Sequence, residues 1–232
     1  MTTEDARRFW AVLSGVSDHE RPSLETLCRG CVALLPVSGA AISLMDPTQS
    51  SSVASAFDGR ARAIQDLEFT IGQGPAIDAY ADGTPVLVDD VGDLGGRWPQ
   101  FSAAVAAMGV RAVFALPLQT KAVRLGVLVL YRDAAGVLGD RALADALEVA
   151  DLVTQLVLVM QSEAATETVA WALDVGDHRA VVHQATGMIA AQIDSDVDEA
   201  LVRLRAHSFS AERPIRDIAE EVVTGQLRFD QH

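Results

Sequence analysis

"VRAVFALPL" (110–118) and "RLGVLVLYR" (124–132) decide the fold. Both runs are β-branched and apolar and are bounded by Gly, Pro and Asp, so they read as buried strands of an antiparallel sheet. Upstream, "GAAISLMD" (39–46) and "SVASAFDG" (52–59) read as two strands joined into a hairpin by the turn-rich "PTQSS". "TPVLVDDV" (84–91) adds a strand, and "WPQFSAAVAAMG" (98–109) reads as a helix ended by Gly109. Residues 4–16 and 22–36 look helical. A sheet with flanking helices puts this part of the chain in the α+β class.

From Asp140 the apolar period becomes that of a helix, with Leu143, Leu147, Ala150, Leu156, Val157 and Met160 along one side. Leu152, Val153 and Val159 lie outside that stripe, so the apolar surface is broader than one sheet requires, and a homodimer paired through helix 140–164 is expected. "QSEAATET" (161–168) is the most polar stretch of this helix and divides a first domain, 1–164, from a second, 165–232.

After Trp171 the chain reads as three short helices. The first runs from about His178 to Gln192, with Val181, Ala185, Met188 and Ile189 on one face. The second starts at Ser195 with the capping pattern "SDVD" and buries Val197, Ala200, Leu201 and Leu204. The third begins at Pro214, buries Ile215, Ile218, Ala219 and Val222, and stops near Gly225. Gly187, in mid-helix, is expected to permit a close approach to a neighbouring helix.

Composition narrows the function. The chain has 232 residues, enough for two domains, and no apolar run approaches the roughly 20 residues of a membrane span. The start "MTTEDARRFW" lacks a secretory pattern, which makes the cytoplasm the expected location. A formal charge of −14 argues against nucleic-acid binding by broad electrostatics but leaves room for a small arginine-lined face. Cys28 and Cys31 fall at helical spacing in "SLETLCRGCVALL" and read either as small core residues or as a redox pair.

Residues from about 22 to 160 resemble a GAF sensor domain, through "IGQGPAIDAYADGTPVLVDDV" followed by "RWPQFSAAVAAMGVRAVFALPLQTKAVRLGVLVLYR". Residues from about 171 to 225 resemble an ANTAR domain, the three-helix RNA-binding module of bacterial antiterminators, through "RAVVHQATGMI", "DEALVRLRAHS" and "RPIRDIAEEVV". The resemblance implies a signal-responsive regulator that binds hairpin loops in nascent RNA and so prevents a terminator hairpin from forming. An alternative is a sensor module whose three-helix tail docks a protein instead.

The first tail helix departs from the family pattern, with Ala185, Thr186 and Gly187 where the family usually has Ala-Lys-Gly. Arg179, His183 and Thr186 are expected opposite its apolar side. Residues 165–232 hold six Arg and no Lys against twelve acids, so RNA contact is expected to fall on Arg179, His183, Thr186, Arg203, Arg205, Arg213 and Arg216.

For the sensor, a small-molecule or protein signal is expected, with Phe57, Phe69, Trp98, Phe101 and Arg111 as candidate pocket residues, although aromatic residues in such a domain are more often core. The GAF cyclic-nucleotide motif contains Asn and Lys, and this chain has no Asn. A haem would want a pocket His, and His19 is the only one before residue 178. No cofactor is expected, and "IGQGP" lacks both the P-loop and dinucleotide spacings, which leaves Gly72 and Gly74 as turn glycines. Asp89, Asp90 and Asp93 read as a solvated loop, not a metal site, and no nucleophile, base and orienter are grouped, so no enzyme is expected.

Overall fold

The computed structural model describes residues 23–45, 51–121, 123–164, 177–211, 213 and 215–229. The helix expected over 4–16 and the third tail helix's start at Pro214 lie outside the described residues. The chain divides into two compact units, the first reaching to Glu163 and the second beginning at Ala164.

In the first unit α1 (Leu24–Leu34) precedes β1 (Gly39–Met45) and β2 (Ser51–Ala56). Then come α2 (Gly59–Ile71), α3 (Pro75–Asp82), β3 (Val86–Val88), α4 (Pro99–Ala107), β4 (Ala112–Gln119), β5 (Arg124–Arg132) and the long α5 (Asp140–Ala164). The strands make one sheet in the order β2-β1-β5-β4-β3, with every neighbouring pair antiparallel.

Alternate residues of the central strands build two cores. Ile42, Phe114, Leu116, Leu128 and Leu130 face α1 and α5, which contribute Leu27, Cys28, Cys31, Val149, Val153 and Val157. Their neighbours Ser43, Val113, Ala115, Val127, Val129 and Tyr131 are equally buried on the other side, and α3 packs against β3, β4 and β5. Burial on both faces explains the near-continuous apolar runs of β4 and β5.

Cys28 and Cys31 are fully buried, and burial pushes the Cys28 thiol up to about 11 and raises that of Cys31 too, so both stay protonated inside the core. In α5, Val153 sits at the centre of the sheet-facing side, whereas Leu147, Leu158 and Val159 are exposed. The sequence stripe is therefore rotated: the sheet claims Val149, Val153 and Val157, and the apolar flanks on both sides of them are left outside.

The second unit holds α6 (Asp177–Ile193), α7 (Val197–Ser210) and α8 (Ile215–Val223). Val182, Ala185, Ile189, Ala200, Leu201, Leu204, Ile215, Ile218, Ala219 and Val222 make its core. Residues beyond α8 lie back on this unit: the Phe229 N–H donates to Gln192 Oε1 at 2.9 Å, and its ring meets His207 edge-on with centroids 5.3 Å apart.

Two expectations are corrected here. The cap of α7 is Asp196, not Ser195: Asp196 is extended and its Oδ1 accepts from the Glu199 N–H at 2.7 Å. That one-residue shift makes Val197 the first helical residue and leaves it 56% exposed instead of buried. Gly187 is exposed, and a Cβ built there meets nothing within 4 Å, so it marks no close approach. Gly187→Ala is accordingly expected to stabilise the second unit by roughly 0.5–1 kcal/mol, as its melting temperature would show; a lower melting temperature would reinstate a packing role.

Candidate functional site

The arginines expected to read RNA sit on the second unit at different places. Arg203 and Arg205 are partly exposed on α7, while Arg213, between α7 and α8, and Arg216, in the first turn of α8, are exposed. The backbone of Arg179 is in α6, and its side chain lies outside the described residues. Three of these arginines already hold carboxylates: Arg203 with Glu199 at 2.9 Å, Arg213 with Glu221 at 2.7 Å and Arg216 with Glu220 at 2.9 Å. The Arg213 contact, a hydrogen bond reinforced by charge, holds the Glu221 carboxyl below its usual range and raises the guanidinium. Exposed pairs of this kind contribute little, so exchanging a carboxylate for a phosphate is a modest rearrangement.

His183 is exposed on α6 as expected, but Thr186 is not. It is 2% exposed, and its hydroxyl donates to the Val182 carbonyl at 2.7 Å. The buried side of α6 runs through Val182, Ala185, Thr186, Ile189 and Ile193, turned from the face read in the sequence toward Val182. A threonine whose hydroxyl is satisfied by its own helix can occupy that side, and Thr186 is removed from the RNA-facing set.

In the first unit the proposed pocket residues separate. Trp98 and Phe101 meet edge to face, centroids 6.2 Å apart, at the start of α4, and both are buried, as is Phe69 on α2. Phe57 is 39% exposed, and Arg111 lies at the surface, donating to both Asp90 oxygens at 3.0 and 3.2 Å. Asp90 Oδ1 also accepts from the Gly92 N–H at 2.9 Å, which with Arg111 holds its carboxyl below the ordinary range. That aspartate is thus spent on closing its own loop.

A buried polar cluster escaped the sequence reading. Glu68 on α2 is 2% exposed; its Oε1 accepts from the Ala76 N–H at 2.7 Å in the first turn of α3, and its Oε2 accepts a hydrogen bond from Gln65 Nε2 at 3.3 Å. The Ser43 hydroxyl of β1 donates in turn to Gln65 Oε1. Burial drives the Glu68 carboxyl up to about 8, against the lowering effect of the Ala76 N–H, so the group is largely protonated at neutral pH. Gly74 has φ 151°, and a Cβ there would overlap the Glu68 side chain. The glycine in "IGQGP" therefore serves the carboxyl, which the spacing of Gly74, Ala76 and Glu68 alone did not disclose.

The β4–β5 hairpin also borders an open groove of about 430 Å³, lined by Gln119, Thr120, Lys121, Val123, Arg124 and Asp151. Lys121 is the chain's one lysine. Arg124 Nη1 donates to the Tyr80 carbonyl at 2.9 Å and also to that of Ala81, so its guanidinium closes the end of α3. Among the described residues no cluster of three metal-ligating side chains occurs, and no helix is long and apolar enough to cross a membrane.

A family model for the GAF domain matches residues 23–158, and one for the ANTAR domain matches residues 176–223. The GAF domain of a phosphoenolpyruvate-protein phosphotransferase from Coxiella burnetii superposes with a TM-score of 0.53 at 12% identity, covering 69% of this chain and 96% of that one. The GAF domain of an Acinetobacter phosphoenolpyruvate-protein phosphotransferase gives 0.52 at 9% identity, covering 73% and 99%. At these identities the likeness is one of fold. No curated protein matches the chain.

Proposed function

Because the chain belongs to the GAF domain family and carries an ANTAR domain behind it, we propose that it is an RNA-binding transcription antiterminator, its sensor governing a hairpin-reading tail. A GAF domain ahead of an ANTAR domain is the make-up of a signal-sensing antitermination regulator, and both are sensory or regulatory domains, not catalytic ones. The observation that carries the RNA reading is this domain order together with the surface arginines Arg203, Arg205, Arg213 and Arg216 on the three-helix unit. Arg179 and His183 join that set from α6. The protein would work in the cytoplasm, where transcripts are made.

The working form is a homodimer paired through α5. The exposed Leu147, Leu158 and Val159 support this, since they extend the helix's apolar surface past what its own sheet covers. The signal is a small molecule or a protein acting on the GAF unit.

With six arginines and no lysine against twelve acids over residues 165–232, few phosphates are neutralised per tail, so the salt dependence of binding is expected to be shallow. Arg203→Ala and Arg216→Ala are each expected to weaken hairpin binding by roughly 1–3 kcal/mol where the arginine reads a base. Where it holds a phosphate, the salt slope should fall by about one instead. Fluorescence titration of the intact protein on a labelled hairpin, repeated at several salt concentrations, measures both. If neither substitution changes affinity or slope, those ion pairs favour the second reading, a tail that docks a protein.

A further inference from the structure

We propose that Arg228, on the segment that folds back beyond α8, is the arginine through which each tail grips an RNA phosphate. This rests on the RNA reading above and adds to it a residue past the span 176–223 that the ANTAR model matches. Gly225, with φ 76°, turns the chain at the end of α8, and the N–H groups of Gln226 and Leu227 both donate to the Glu221 carbonyl, at 2.8 and 3.0 Å. Phe229 then pins the segment through Gln192 and through the ring of His207, which lies one turn along α7 from Arg203. Arg228 is exposed between these two anchors.

Its side chain stands apart in having no partner. Residues 165–232 offer twelve acids to six arginines; Arg203, Arg213 and Arg216 each hold one, and Arg205 is engaged as well. Among the described residues no hydrogen bond or ion pair reaches the Arg228 guanidinium. Glu220 and Glu221, in the last turn of α8, are taken by Arg216 and Arg213. Asp194, Asp196 and Asp198 at the α6–α7 corner and Asp217 on α8 make no pair with it, and Asp230 lies outside the described residues. A phosphate at Arg203, Arg213 or Arg216 must displace a carboxylate, so the gain there is a difference between two contacts, whereas at Arg228 the whole contact is new. The backbone on either side is already held, which confines the ordering cost to the side chain, and a guanidinium forks onto two phosphate oxygens. A partner protein's carboxylate is the competing occupant, and titration separates the two.

The experiment uses the intact protein and an RNA pool carrying two adjacent stem-loops with randomised loops. One stem-loop of the RNA selected on the wild type, and one of unrelated loop sequence, are titrated with the wild type, Arg228→Ala and Arg228→Lys at several salt concentrations. Arg228→Ala is expected to weaken binding of both RNAs alike, roughly 4- to 6-fold at about 0.15 M salt, and to lower the salt slope by about one, while Arg228→Lys keeps the slope. The exposed position means that thermal melts should coincide. If Arg228→Ala matches the wild type in affinity and slope, the phosphate contact is overturned, the RNA reading stands, and the guanidinium is left for a protein carboxylate. A loss confined to the selected loop, with an unchanged slope, also overturns it, because the arginine would then be reading a base. A pool from which nothing is selected overturns both.

Discussion

Glu68→Gln is expected to remove a loss of sensor stability of about 1.4 kcal/mol per pH unit between roughly pH 5 and pH 8. The sign follows from where the proton sits. In the unfolded chain this carboxyl releases its proton near its ordinary value of 4.5, but in the fold it keeps the proton up to about 8, because burial penalises the charged form. The stabilisation is complete below the unfolded value and is lost as pH rises through the folded one. A glutamine cannot ionise, yet its oxygen can still accept from the Ala76 N–H. Its amide is accommodated if Gln65 turns over, since the Ser43 hydroxyl can accept as readily as donate. Urea unfolding of both proteins across this range measures the difference directly. Parallel curves would mean that Glu68 is ionised in the fold.

Leu158→Glu combined with Val159→Glu is expected to give a monomer whose affinity for a single hairpin is unchanged and whose affinity for two adjacent hairpins falls roughly 10²- to 10⁴-fold. Tethering supplies a gain of that size without any new contact, and losing the dimer removes it. Both residues are exposed on α5, so charges there cost the isolated sensor little; Leu156 and Met160, half-buried against the core, would confuse the result with unfolding. Light scattering reports the mass, and titration on single and paired hairpins reports the tethering. A monomer that still prefers paired hairpins to the same degree would remove α5 from the binding mechanism.

The sheet was legible because β4 and β5 are buried on both faces, which leaves long β-branched runs that admit few other readings. The helix α2 was not. Its buried positions, Ala61, Ile64, Gln65, Glu68 and Phe69, have helical spacing, but two of the five are polar, and the pattern dissolves when Gln65 and Glu68 count as surface. The helix α3 is short and buries Pro75, two alanines and Tyr80, which carry little periodic signal. In the tail the core of α8 was fully readable from Ile215, Ile218, Ala219 and Val222. Thr186 failed because a hydroxyl satisfied by its own helix looks polar in sequence and behaves as buried in structure. The site was less legible than the fold: the arginines could be named, but their carboxylate partners include the pair between Arg213 and Glu221, eight positions apart, which helical periodicity does not bring together.

The central claim is that the three-helix tail reads RNA hairpins. Titrating the intact protein with a selected pair of adjacent stem-loops, and with an unstructured strand of the same base composition, tests it most directly. The paired stem-loops should bind at least a hundred-fold tighter than the unstructured strand, with a shallow salt slope. Equal affinity for the two RNAs would contradict the claim and leave a GAF sensor whose tail serves a protein partner.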